Sequence, residues 1–135
     1  AAGRTVVPGF IDGHNHFEMT CASLVYSLPA HTPPHTSLAS IADALRAEDR
    51  RLAPGRWLIA RGSFGLQYKV AEGRLFTRQE LDAVSDTRPI VVFAGLHVAM
   101  LNTPALEGID VVVPGHEPRG AYTTGSEWAA DGRGH

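Results

Sequence analysis

The sequence predicts an α/β fold, read as the first strands and helices of a (β/α)8 barrel, on three observations. Segments of strand character alternate with segments of helical period in the order strand, helix, strand, helix, strand, the alternation that builds parallel sheets through right-handed crossovers. Ile90 to Ala94 is an apolar run without alternation, as expected of a strand covered on both faces. At the front, PGFIDGHNH (8–16) leads from a turn signal through an apolar pair to an acid and two histidines, which places chemistry at the C-terminal end of a first strand. Three strands leave two open edges, and a closed barrel needs about 250 residues, so this chain is expected to hold only the first part of one.

Taken in order, RTVVPGFI (4–11) reads as a short strand, a Pro-Gly turn and the strand that leads to the histidines. In such a strand Asp12, His14 and His16 project to one side and Gly13 and Asn15 to the other. Phe17 to Leu28 is mixed and apolar, and PAHTPPHTS (29–37) is a proline-rich loop that is not helical through Pro33 and Pro34. Those prolines also prevent His31 and His35, four apart, from forming a helical pair. Either Thr36 or Ser37 caps a helix predicted over 38–52, with Leu38, Ile41, Leu45 and Leu52 inward and Arg46, Glu48, Asp49, Arg50 and Arg51 largely on the wet side.

APG (53–55) ends that helix, and RWLIARG (56–62) is the second strand. An irregular stretch over 62–76 follows. Thr77 and Glu80 form a Thr-x-x-Glu capping box opening a short helix through Leu81 and Val84, which stops before Pro89. After the third strand, Ile90 to Ala94, the residues Thr103, Pro104 and Gly108 supply an N-cap, a first-turn proline and a C-terminal glycine for one more short helix. From Pro114 onward glycine, proline and charge dominate, which reads as a loop or extension.

With 135 residues, 44% hydrophobic and 19% charged, the composition suits one globular domain with a modest core. The formal charge of −2 with both signs scattered argues against nucleic acid or an anionic membrane as a partner. The lone Cys21 excludes an intrachain disulfide and a Cys-x-x-Cys site, and is read as a small buried hydrophobe. No apolar run approaches a membrane span and AAGRTVVPGF lacks signal-peptide order, so a soluble, cytoplasmic protein is expected. The chain opens without an initiator methionine and stops at DGRGH without a closing element, so a fragment is expected.

Neutral imidazole is the commonest metal ligand, and His-x-His aims two of them at one point. His14 and His16 are therefore the candidate metal ligands, and Asp12 is a candidate to hold an imidazole tautomer; the alternatives are surface or turn histidines and an ordinary strand-end carboxylate. A catalytic site also needs a further protein ligand and an open position for water. RGSFG (61–65) is not a nucleophile elbow, and no phosphate-binding glycine motif occurs. Arg61 and Tyr68 could reach a substrate or simply be surface. Glu18 is read as a mouth-lining acid, and His116 and His135 as solvated.

The stretch Pro8-Gly9-Phe10-Ile11-Asp12-Gly13-His14-Asn15-His16 resembles the first-strand pattern of the amidohydrolase superfamily. RWLIARG (56–62), GRLFTRQELDAVSDTRPIVVF (73–93) and LHVAMLNTPALEGI (96–109) look like its amidohydrolase family 3 branch, typified by YtcJ-like proteins and N-substituted formamide deformylases. The resemblance implies a TIM barrel of the metal-dependent hydrolase type, with residues 1–7 a remnant of the small flanking β-domain and 8–135 the incomplete barrel. It implies one or two divalent ions, zinc or another metal, bound by His14 and His16. It also implies a substrate pocket lined by His97 and Asn102, whose alternatives are a histidine hydrogen-bonded near the strand end and a helix-capping or turn residue. Met100 departs from the tryptophan frequent in relatives.

The implied activity is hydrolysis of a small-molecule C–N bond of amide or formamide type, other than a peptide bond, by metal-activated water. The family's remaining ligands and catalytic carboxylate are not in this sequence, so the chain alone is expected to be inactive. The competing reading is a non-catalytic α/β binding or assembly module, for which open strand edges would favour homo-oligomers.

Overall fold

The computed structural model describes residues 2–109 and the strands Tyr122–Thr124 and Glu127–Ala129. Its centre is a mixed sheet in the order β1-β2-β3-β4-β5-β6. β1 (Leu28–Ala30), β2 (Leu58–Gly62) and β3 (Ile90–Ala94) are parallel neighbours, in register Leu28 to Ala60 and Leu58 to Ile90. β4 (Val98–Leu101), β5 (Tyr122–Thr124) and β6 (Glu127–Ala129) continue it antiparallel. The mixed α/β class and the helix-linked parallel strands agree with the sequence reading.

α2 (Leu38–Asp49) crosses from β1 to β2, and a 3₁₀ turn (Leu66–Tyr68) and α3 (Arg78–Asp82) lie between β2 and β3. Leu38, Ile41 and Leu45 of α2 meet Leu58 and Ala60 of β2, Ile90, Val92 and Ala94 of β3, and Met100 of β4 in one buried cluster. Because side chains alternate along a strand, these inward positions share one face of the sheet. Each fully buried Leu or Ile contributes about 1.5–3 kcal/mol.

The helix starts follow from local chemistry. Ser37, rather than Thr36, caps α2 by accepting from Ser40 N at 3.1 Å, and the Glu72 carboxylate accepts from Leu38 N at 2.9 Å. That bond holds the Glu72 carboxyl below the usual carboxylate range. The expected capping box is present in α3: Thr77 Oγ1 accepts from Glu80 N, and Glu80 Oε2 accepts from Thr77 N at 2.9 Å. Arg74 adds a fork to the same carboxylate at 2.7 and 2.8 Å, and Glu80 is pulled down to about 2, first by Arg74 and then by the Thr77 bonds.

Four expectations are corrected. The segment 8–16 forms no strand; the chain runs irregularly into α1 (Phe17–Tyr26), and the first strand is β1, which spans the end of the mixed apolar stretch and the start of the one read as a proline-rich loop. A strand requires a ladder partner, and here Phe10 and Ile11 are 101% and 92% exposed, with no neighbour among the described residues to supply one. Cys21 is exposed rather than buried: of α1 only Ser23 is buried. α2 ends at Asp49, three residues before Leu52, and the half-buried Arg88 holds the last carbonyl of the helix together with carbonyls of the segment that follows. It donates to Asp49 O, Leu52 O, Ala53 O and Arg56 O and pairs with the Asp49 carboxylate.

The fourth correction concerns the chain after β3, where β4 folds straight back on its neighbour instead of crossing over through a helix. The φ of +70° at Gly95 in the intervening turn favours glycine, and a Cβ there would crowd Phe64 at 3.0–3.2 Å. β5 and β6 lie within the tail read as loop, two residues apart in the sequence as in a hairpin. His116 and His135 lie outside the described residues.

Candidate metal centre and its cavity

Asp12, His14 and His16 come together through a turn. Asp12 Oδ1 accepts from the backbone N–H of His14 at 3.1 Å, and Oδ2 accepts from Asn15 Nδ2 at 2.9 Å. Asp12 thus shapes the backbone that carries the histidines and makes no hydrogen bond to either ring. His16 is the N-cap residue of α1, whose first turn closes with Thr20 N donating to His16 O at 2.9 Å.

The two imidazoles converge. His14 Nε2 and His16 Nε2 are 3.1 Å apart, with ring centroids at 4.9 Å and planes at 67°. A tetrahedral ion with nitrogen ligands at about 2.0–2.1 Å separates two of them by about 3.3 Å, so the spacing suits adjacent ligands of one ion. Among the described residues no group of three or more His, Cys, Asp or Glu side chains is placed to hold a metal. The pair therefore supplies two donors of a ligand set that needs more.

His16 also lines a cavity of about 370 Å³ between α1 and the C-terminal ends of β1, β2 and β3. His31 enters from just beyond β1, Arg61 from β2 and Ser63 from just beyond it, Gly95 and Leu96 from the turn after β3, and Lys69 from the loop beyond the 3₁₀ turn. Ser63 Oγ accepts from Thr32 N at 3.0 Å and ties the first two loops together. Burial first, and the Arg61 charge second, hold the His31 imidazole below its ordinary pKa. This favours the neutral ring, an uncharged donor and acceptor facing the cavity.

His97 and Asn102 part company. His97 is exposed in the turn before β4. Asn102 is fully buried: Oδ1 accepts from Ile90 N at 2.8 Å and Ala105 N at 3.1 Å, and Nδ2 donates to Ser85 O at 2.9 Å and Arg88 O at 2.8 Å. With every hydrogen-bonding position engaged by main chain, Asn102 caps α4 (Thr103–Gly108) and is not presented to an open pocket, which corrects the pocket-lining expectation. The cap falls on Asn102 and not on Thr103, whose N–H and hydroxyl donate to the Asp82 carboxylate. Tyr68 is exposed, as is Glu18 in the first turn of α1.

Sequence reasoning passed over His31, Ser63 and Lys69. The available signal was position: His31 and Ser63 immediately follow parallel strands, where such sheets gather their functional side chains. The short, proline-containing β1 concealed it for His31.

A model of the Amidohydrolase family matches residues 1–134. The chain belongs to that family. Among its relatives, N-substituted formamide deformylase of Arthrobacter pascens is 34% identical over 120 residues, covering 88% of this chain and 22% of that protein. The exoenzymes regulatory protein AepA of Pectobacterium carotovorum subsp. carotovorum is 34% identical over 109 residues, covering 77% of this chain and 22% of that protein. The chain thus spans about a fifth of the length of either relative. No solved structure matches it. Family membership agrees with the resemblance drawn from Pro8 to His16 and from the later segments.

Proposed function

We propose that this chain is the opening part of a (β/α)8 amidohydrolase that hydrolyses a C–N bond of amide or formamide type in a small molecule, with His14 and His16 as two of its metal ligands. The observation that carries the reading is the 3.1 Å convergence of the two Nε2 atoms in a chain that the family model matches over residues 1–134. The parallel order β1-β2-β3 supports it, since the cavity beside His16 opens where the carboxyl ends of the strands meet. A divalent metal, zinc among the candidates, would supply Lewis acidity and an activated water when bound.

The chain's own residues do the rest of what can be derived. His14 and His16 present their Nε2 atoms to one point. Asp12 keeps them there by pinning the turn, acting as a positioning residue through the backbone rather than through a ring tautomer. His31 and Ser63 offer hydrogen bonds at the cavity wall, Phe64 and Leu96 add apolar surface to it, and His97 stands exposed at the same end of the sheet. Among the described residues no third ligand joins the pair, so this reading takes the remaining ligands from outside them and expects the 135-residue chain by itself to be inactive.

The test is zinc per chain after gel filtration, for the wild type and for His14→Ala, His16→Ala, in this chain and in the longer protein, together with hydrolysis of N-substituted formamides. Zinc and hydrolysis in the longer protein, both lost in the variant, are expected. Zinc retained by the variant, or hydrolysis by the 135-residue chain alone, would refute the assignment.

A further inference from the structure

His14 and His16 supply two of the four donors that a zinc ion takes, and their surroundings decide where the others come from. Every residue from 2 to 22 is exposed, so no described part of the chain stands over the pair. The two Nε2 atoms face one point, 3.1 Å apart, and neither ring hydrogen-bonds another group among the described residues. Asp12 is taken up by His14 N and Asn15 Nδ2, and His31, which shares the cavity with His16, joins no group of three possible ligands.

Two such pairs make a complete tetrahedral set. One of the two-fold axes of a tetrahedron exchanges one pair of ligands for the other, so a second copy of the chain completes the set with its own His14 and His16 and no further residue. From Thr5 to Ala22 the only charged side chains are Asp12 and Glu18. Two copies meeting on this segment bring four carboxylates together and repel one another; a dication between them turns that repulsion into attraction. Phe10, Ile11 and Phe17, at 101%, 92% and 72% exposure, flank the motif on both sides and lose contact with water in the same encounter.

We infer that the 135-residue chain forms a two-fold dimer bridged by one divalent ion such as zinc, held by His14 and His16 of both copies. The inference rests on the assignment of those histidines as metal ligands above. In a longer protein that completes the site from its own residues, the pair is no longer open to a second copy.

The experiment is sedimentation with zinc analysis on the metal-free 135-residue chain, at concentrations where it sediments as a monomer, before and after addition of zinc chloride and again after EDTA. The mass is expected to double with zinc, about half an ion per chain to survive gel filtration, and EDTA to restore the monomer. His14→Ala and His16→Ala, with circular dichroism as the check on folding, stay monomeric in zinc, whereas His116→Ala, His135→Ala still doubles. If a variant misfolds, the cobalt(II) form of the wild type answers without substitution: four imidazoles give the strong visible absorption of a tetrahedral ion, and two imidazoles with water give the weak absorption of an octahedral one. About one ion per chain in a monomer, absence of bound zinc, a weak octahedral cobalt spectrum, or a dimer that survives EDTA or His14→Ala overturns the inference, as does loss of the dimer in a folded His116→Ala, His135→Ala. A zinc-free monomer of this chain, beside a longer protein that loses its zinc when both histidines are replaced, refutes the bridge alone. A bridged dimer, beside a longer protein that keeps its zinc in that variant, refutes the hydrolase assignment alone.

Discussion

Replacing Asn102 with alanine removes four hydrogen bonds at a fully buried position, two into its Oδ1 and two from its Nδ2. Loss of the cap on α4 costs about 1 kcal/mol. The Ile90 N–H and the Ser85 and Arg88 carbonyls are left without a partner at the base of β3, and each such group costs about 1–3 kcal/mol unless water reaches it. Allowing for relaxation, a loss of about 4 kcal/mol is expected, against total stabilities of about 5–15 kcal/mol for a domain. Asn102→Asp keeps the acceptor but turns a carboxylate oxygen toward the Ser85 and Arg88 carbonyls. Burial and those carbonyls raise the folded pKa of that Asp above its unfolded value of about 3.9, so the variant is least destabilised near pH 4 and worsens as the pH rises. Urea unfolding followed by tryptophan fluorescence, with Trp57 beside Gly108 of α4, measures both. A loss below about 1 kcal/mol for Asn102→Ala, accompanied by weakened binding of formamides, would show that Asn102 serves the pocket and not the backbone.

Glu80→Gln keeps the capping geometry, since Gln also serves at that position, but loses the Arg74 fork; because the pair is partly exposed, about 1 kcal/mol is expected at pH 7. Glu80 is depressed to about 2 in the folded chain, so its contribution is fully present above about 4.5 and fades as the pH falls toward 2; acid denaturation of the variant should lack that component. Arg88→Ala strips the end of α2 of a donor to four carbonyls and leaves Asp49 unpaired, with a loss of about 2–4 kcal/mol by denaturant titration, and Arg88→Lys recovers little of it because an ammonium cannot span those oxygens. The exposed Phe10 and Ile11 are expected to drive concentration-dependent self-association of the isolated chain, relieved in Phe10→Lys, Ile11→Lys; sedimentation that shows a monomer for the wild type at all concentrations would contradict this.

The elements legible in the sequence were those whose signal is local. The capping box at Thr77 and Glu80 is made by side chains three residues apart, so no distant contact is needed to form it. The helical period of Leu38, Ile41 and Leu45 reports one buried face directly, and the β-branched run at 90–94 reports a covered strand. Family membership was legible too, since the resemblance was drawn from residue types in Pro8 to His16 and in the later segments, and the family match over residues 1–134 agrees with it.

Tertiary structure decided what depends on partners remote in the chain. Whether residues 8–16 become a strand depends on a neighbour able to accept their ladder bonds, and among the described residues none does; the histidines nevertheless converge, through the Asp12 turn instead of through strand alternation. Asn102 reads equally well as a pocket residue or a cap until Ser85, Arg88 and Ile90 close around it. Arg88 carries no local pattern at all, since its carbonyl partners lie more than thirty residues upstream. Arg61 and Lys69 come to line one cavity only when parallel pairing brings the ends of β1, β2 and β3 to one rim. Periodicity and caps are properties of adjacent residues and can be read along a chain, whereas hydrogen-bond satisfaction and the sharing of a cavity are properties of surroundings that only folding assembles.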